Sequence, residues 1–344
     1  MPENAHRPPA ARPAAPNEGP AASSAGPAGS ATSTTGLAAV TAGPAAPTGG
    51  LAPPTAGPFH PGELAAQQLA GGGSAGGAIR SFMPDQHRRF FAQLPFVAVA
   101  TTDDGGPVAT LWTGRPGFVS SPDPHTLRIA IALDPADPAS PAFVAGAPLG
   151  LLGIELATRR RNRASGAITA VDPGGITVAI RQSFGNCPRY IHPRDVLTAP
   201  ASAATAERFD GLDHDVVAAI AAADTFFVAT AARTGEPAGG VDISHRGGPP
   251  GFVRVDGNVL TIPDYAGNRY FNTLGNLVSD PRAALVFVDF ARGDLLHLQG
   301  RAEIQWHGPE VSALDDAERL WRVHVERGWR RRAALPLRWT APAG

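Results

Sequence analysis

The chain repeats itself. Pro116-Gly117-Phe118-Val119 recurs as Pro250-Gly251-Phe252-Val253, an offset of 134 residues. The same offset carries Gly150-Leu151-Leu152-Gly153-Ile154-Glu155-Leu156 onto Ala284-Leu285-Val286-Phe287-Val288-Asp289-Phe290, and Gly166 onto Gly300. Upstream, Phe96-Val97-Ala98-Val99-Ala100-Thr101 resembles Phe226-Phe227-Val228-Ala229-Thr230, with the spacing reduced by four residues. Three landmarks at one offset read as a duplicated fold. The copies are assigned to 59–192 and 211–339, with a linker over 193–210.

Each copy opens on a helical stretch, Pro84 to Gln93 and Asp213 to Ala223. Pro84 suits a first helical turn, and Phe90, Phe91 and Leu94 share one face. Short β-like runs follow, at Leu127 to Leu133, Leu149 to Ile154, Ile176 to Ile180, Val259 to Ile262, Ala284 to Phe290 and Leu295 to Gln299. Turn signals such as Asp103-Asp104-Gly105-Gly106, Asp172-Pro173-Gly174-Gly175 and Asp256-Gly257-Asn258 punctuate them. Leu314 to Arg332 reads as a C-terminal helix. The expected class is mainly β with flanking helices (α+β), one small barrel per copy, the two packed as an internal pseudo-dimer around a concave site.

Composition removes several chemistries. Residues 1–58 hold twelve prolines, and the first aromatic residue is Phe59. Such a stretch buries too little apolar surface to offset its ordering entropy and reads as a disordered Ala/Pro/Gly-rich tail. All 29 basic residues are Arg, which excludes Schiff-base and P-loop lysines. The single Cys187 excludes an internal disulfide and a Cys-based zinc cluster. A net charge of −1 gives no global attraction to nucleic acid or an anionic membrane. The Pro-broken N-terminus does not read as a secretory signal, and no apolar run spans a bilayer, so a cytoplasmic location is expected.

The copies differ in polarity. The second carries Asp242-Ile243-Ser244-His245-Arg246-Gly247-Gly248 and then Pro263 to Asn276, with Asp264, Asn268, Arg269, Asn272 and Thr273. The first offers Asp134 to Pro148 there, rich in Pro and Ala and free of Arg, Asn and Thr. Donors at a loop entering a helix, Asn272 to Val278, suit a phosphate, and Arg246 and Arg269 add charge-assisted bonds. The alternative is that Asn and Thr cap the helix while the arginines are solvated. The first copy has its own polar segment, Ser183 to Ile191: Asn186 suits a heterocycle, and Arg189 and Tyr190 a phosphate or a ring. Cys187 reads as a small buried hydrophobe. The run Arg159-Arg160-Arg161-Asn162-Arg163 is either one wall of an anion pocket or a solvated strand edge. The ten His show no metal spacing.

On these residues the chain resembles the pyridoxamine 5′-phosphate oxidase-like FMN-binding split-barrel proteins, in their duplicated flavin-nucleotide-binding branch. The segments are Phe59-His60-Pro61-Gly62-Glu63-Leu64, Gly153 to Arg163, Ser183 to Ile191, Ser244 to Val253 and Ile262 to Arg269. The resemblance implies FMN at the seam between two barrels. It implies cofactor contacts at Ser244, His245, Arg246, Asp264, Asn268, Arg269, Asn272 and Thr273, with Asn186, Arg189 and Tyr190 approaching from the other copy. The asymmetry then implies one FMN per chain. The implied activity is flavin-mediated hydride or electron transfer to an undetermined small molecule, with NADH, NADPH or a separate reductase as electron source and no catalytic residue assigned. Two alternatives stay open: a non-catalytic flavin-binding or electron-carrier module, and a haem- or deazaflavin-binding barrel with His192 and His245 as candidate haem ligands. A homodimer is compatible with all of these.

Overall fold

Strands alternate their side chains between two faces, and in this protein both faces of the central strands are covered. The computed structural model describes residues 57–233, 235 and 238–341; the tail expected over 1–58 lies, but for its last two residues, outside them. The described chain begins with α1 (Pro61–Leu69), which is capped reciprocally. The His60 ring accepts from Gly62 N at 3.1 Å and the Glu63 carboxylate from His60 N at 2.9 Å, with Pro61 in the first turn. In α2 (Asp85–Gln93) Phe90 and Phe91 are buried.

Seven strands follow: β1 (Phe96–Asp103), β2 (Gly106–Thr113), β3 (Val119–Asp123), β4 (Thr126–Ile129), β5 (Pro148–Glu155), β6 (Arg160–Asp172) and β7 (Gly175–Gly185). They form one antiparallel sheet in the order β2-β1-β5-β6-β7-β4-β3. After β8 (Asp195–Thr198), β9 (Ala206–Phe209) and α3 (His214–Ala222) come β10 (Thr225–Ala231), β11 (Val241–Gly247), β12 (Arg254–Asp256) and β13 (Val259–Tyr265). Next are α4 (Asn272–Ser279), β14 (Arg282–Asp289), β15 (Asp294–Gln305), α5 (Pro309–Ser312), β16 (Ala317–Arg331) and β17 (Leu337–Thr340). The second sheet runs β11-β10-β14-β15-β16-β13-β12, the same order as the first. The boundaries of β14 lie 134 residues beyond those of β5. Both sheets belong to one compact unit.

Their contact explains the near-continuous apolar runs of β1 and β10. Val97 and Val99 face the core of the first half, while Ala98 and Ala100 face the other sheet; Phe226 and Val228 face the second core, while Phe227 and Ala229 face back. The apolar layer between the sheets includes Leu152, Ile154, Ile243 and Val286. Trp339 closes one end, edge-on to Phe96 at 5.3 Å and to Phe290 at 5.2 Å.

Three expectations are corrected. Each half is an open sheet rather than a closed barrel, because the end strands of each path have no hydrogen-bonded neighbour beyond them. Leu314 to Arg332 is not a helix: most of it is the strand β16, paired with β13, β15 and β9. Leu320, Trp321, Val323 and Val325 are buried there, and from Trp321 the alternation has the strand period. The 134-residue offset between corresponding strands ends just before this strand, where α5 lengthens a connection that Pro173 and Gly174 make as a tight turn between β6 and β7. Finally, 193–210 carries β8 and β9, hydrogen-bonded to β17 and β16, so it is woven into the fold.

No described helix is long and apolar enough to cross a membrane.

Candidate functional site

All eleven residues named as cofactor contacts line one cavity where the halves meet: Ser244, His245, Arg246, Asp264, Asn268, Arg269, Asn272, Thr273, Asn186, Arg189 and Tyr190. Strand β11 supplies the first three, β13 Asp264, the following loop Asn268 and Arg269, and the first turn of α4 Asn272 and Thr273. Asn186 to Tyr190 enter from the end of β7. Arg161 and Arg163 of β6 and Arg319 of β16 complete the walls.

The seam is bridged by charge. The Arg163 guanidinium donates to Ser244 Oγ at 2.5 Å and to Asp242 at 3.2 Å. Thr273 Oγ1 donates to Ser244 Oγ at 2.9 Å, so this hydroxyl is held between a strand of one half and a helix of the other. Arg161 meets His245 Nδ1 at 2.9 Å. Arg246 donates to Asp264 at 2.7 Å, and Arg319 bonds the other oxygen of the same carboxylate.

Positive charge nonetheless exceeds its local partners. Burial and the guanidiniums of Arg163 and Arg246 push Arg161 down to about 10. His245 is held well below the usual imidazole range, first by burial and then by Arg161 and Arg246, so it stays neutral. Buried and without a hydrogen-bond partner are Nε of Arg161, Arg163 and Arg246, Nδ2 of Asn186 and Nε2 of His245. Buried donors are rarely left in this state. Helix α4 also starts at Phe271, in the left-handed region at φ 63°, with no side chain capping its first turn. Uncapped helix N-termini favour anions. Tyr190 (φ 63°) and Arg269 (φ 59°) share that unusual backbone, a strain of about 1–3 kcal/mol each that concentrates at functional sites.

Beneath α4, Gly62 of α1 crosses Gly275: a Cβ on Gly62 would lie 2.3 Å from Gly275 O. This close approach places Glu63 against Asn272, whose Nδ2 donates to it at 2.5 Å. Burial, then the nearby Asp242 carboxylate, raise Glu63 to about 8. At the cavity mouth Tyr190 stacks on Tyr265 at 5.1 Å, and its hydroxyl donates to Ala266 O at 3.2 Å.

Some named residues are otherwise engaged. Arg269 turns its guanidinium to the carbonyls of Ala70 (2.7 Å) and Gly72 (2.6 Å) beyond α1, so it ties a loop rather than offering free charge. Asn268 reaches Asn186 Oδ1 only at 3.4 Å, and His192 Nε2 meets Gly248 O at 3.0 Å. Cys187, expected to be a buried hydrophobe, is half-buried and lines the cavity. Among the described residues no cluster of His, Cys, Asp or Glu is arranged to hold a metal.

Four contributors lie outside the residues that the sequence singles out. Arg161 and Arg163 lie in a run left open between pocket and solvated edge; on β6, two apart, they face inward, while Arg160 lies over Phe90 at 5.1 Å. Arg319 lies in the stretch whose sequence reads as a helix and which forms β16. Glu63 sits in a quoted segment, but nothing in the sequence reveals its partner 209 residues away.

Residues 212–337 match the family model "Pyridoxamine 5'-phosphate oxidase". Over these residues, little more than a third of its length, the chain is similar to that family. The match spans β10 to β16 and so takes in Ser244 to Thr273. No curated protein matches the chain. Among solved structures, HupZ of Group A Streptococcus is 18% identical over 35% of this chain and 98% of its own, with a TM-score of 0.28. A FAD-binding protein of Mesorhizobium loti is 11% identical over 37% of this chain and 97% of its own, with a TM-score of 0.25.

Proposed function

We propose that the seam cavity binds FMN, one per chain, and that this pyridoxamine 5′-phosphate oxidase-like protein is a flavin-dependent oxidoreductase. One observation carries the reading: guanidiniums with buried, unpartnered nitrogens, two hydroxyls and an uncapped helix start line one cavity. That is the donor set a phosphate monoester satisfies. Arg161, Arg163 and Arg246 would balance the dianion. Ser244 Oγ already accepts from Arg163 and Thr273, so its own proton is left to donate to the ligand. The apolar part of the wall, Leu152, Phe252 and Leu274, together with the Tyr190–Tyr265 pair, suits a flat ring at the outer end.

The bound flavin would supply hydride or electron transfer, and the protein binding and orientation. Neutral His245 stands in the cavity wall with Nε2 unpartnered. It offers a ligand a hydrogen bond without adding charge. Asp264, held between Arg246 and Arg319, keeps both guanidiniums in place. NADH, NADPH or a separate reductase would reduce the flavin; the substrate is a small molecule of undetermined class.

The test is the visible spectrum of the purified protein, repeated anaerobically with NADH and with NADPH. Flavin bands that bleach support the oxidoreductase reading. Bands that persist leave a partner-fed enzyme or a carrier. A colourless protein that takes up no added FMN overturns the proposal.

A further inference from the structure

The shared strand order lets the two halves be compared residue by residue. Val99 pairs with Thr110 on one side and Leu151 on the other; Val228 pairs with Ser244 and Leu285. Thr110 therefore occupies in the first half the place of Ser244 in the second. Asn162 pairs with Gly185 and Leu296 with Arg330, which sets Arg331 in the place of Asn186. Asp137 and Phe271 precede β5 and β14 by the same number of residues, and each leads into a helical turn.

A second seam therefore exists, related to the first by exchanging the halves, and it is filled by the protein itself. Asp137 Oδ2 accepts from Thr110 Oγ1 at 2.5 Å and from Arg331 at 2.8 Å, and its Oδ1 accepts from Ala139 N at 2.9 Å. Asp134 takes the other end of the Arg331 guanidinium. Asp137 is 4% exposed and Arg331 3%. A hydroxyl from the second strand, a backbone N–H at the head of the turn and a guanidinium thus meet on one carboxylate. At the first seam the corresponding residue is Phe271, which has no carboxylate to offer, and donors there lack partners.

We propose that Asp137 is a tethered anion. It fills at one seam the position that an external anion takes at the other, so an architecture with two seams accepts one anionic ligand. The inference concerns Asp137 and Arg331 and does not depend on the ligand of the first seam being FMN. It also predicts a latent site: without its carboxylate, the second seam becomes a receptor for a small free carboxylate or phosphate. A cavity lined by Ala109, Ala139, His297 and Gln299 adjoins it, and His297 Nε2 is buried there without a partner.

The experiment is chemical rescue of Asp137→Ala, read by thermal unfolding against increasing sodium formate. Gluconate, too large for the gap, holds the ionic strength constant. The expected result is a lowered Tm that rises saturably with formate. The wild type and the double variant Asp137→Ala/Arg331→Met should show no such rise. A folded Asp137→Ala that ignores formate, or a double variant that responds equally, overturns the proposal. Should Asp137→Ala fail to fold in expression, it is refolded from urea with and without formate. Recovery that requires formate supports the inference; failure at every formate concentration, while the double variant refolds, overturns it. FMN titration of the wild type tests the first seam separately.

Discussion

Arg163 of the first half donates to Ser244 of the second at 2.5 Å, while its own buried Nε has no hydrogen-bond partner. The contact therefore serves the joint between the sheets and the cavity at once. Arg163→Met should weaken both. Breaking a buried charge pair that also serves Asp242 costs about 3–5 kcal/mol, which urea unfolding would read as a lower midpoint. A midpoint unchanged from wild type would mean the bridge contributes nothing to the joint.

Arg246 and Arg269 separate on geometry. Arg246 has a buried unpartnered Nε in the cavity wall, whereas the Arg269 guanidinium is spent on the carbonyls of Ala70 and Gly72. A charge-assisted hydrogen bond is worth about 1.5–3 kcal/mol, so Arg246→Ala should weaken FMN binding roughly 10- to 100-fold. Arg269→Ala should change it by less than about threefold. Fluorescence titration of the flavin decides, and a reversed order would reassign the anion position.

Glu63 gives the protein a pH signature. Its folded-state value of about 8 lies above its ordinary 4.5, chiefly through burial and then Asp242. Between these values the folded chain holds a proton that the unfolded chain has released. The stability this group contributes is therefore complete below pH 4.5 and is lost as pH rises through 8. Relative to wild type, Glu63→Gln should lose less stability between pH 5 and 8.5, as Tm measured at several pH values would show. Parallel curves for the two proteins would place the carboxyl in its ordinary range.

Gly62 and Gly275 set how close α1 lies to α4. Gly62→Ala would push a methyl to 2.3 Å from Gly275 O and 2.8 Å from the His60 ring. Overpacking of this kind costs about 1–3 kcal/mol. It should also lower ligand affinity, because α4 carries Asn272 and Thr273 into the cavity. Gly77, where an added Cβ meets nothing within 4 Å, is the control: Gly77→Ala should stay within about 0.5 kcal/mol of wild type. Equal urea midpoints for the two variants would count against the close crossing.

The shared strand order and the cavity are legible in the sequence for one reason. A fixed offset locates equivalent strands, and polarity present in one copy alone marks where they differ in use. Ser244, Arg246 and Thr273 all line the cavity. The offset ends at α5, and beyond it the run Leu314 to Arg332 reads as a helix where the fold has β16. Arg319 and Arg331 both lie in that run. Glu63 and Asp137 were out of reach for another cause: each acts through partners brought close by folding, Asn272 for one and Arg331 for the other, and such pairings leave no local trace in a single sequence.

The length of β16 has a consequence for how the chain finds its fold. Arg319 at one end is committed to Asp264 and Arg331 at the other to Asp134 and Asp137, with Trp321 fully enclosed between them. In a strand, sliding by one residue turns every side chain to the opposite face. A misaligned β16 would leave two guanidiniums stranded at once, at opposite ends of the sheet, and would expel an indole into water. Alignment errors in this long-range pairing are thus penalised at both ends, much as a zip that starts one tooth out cannot be closed.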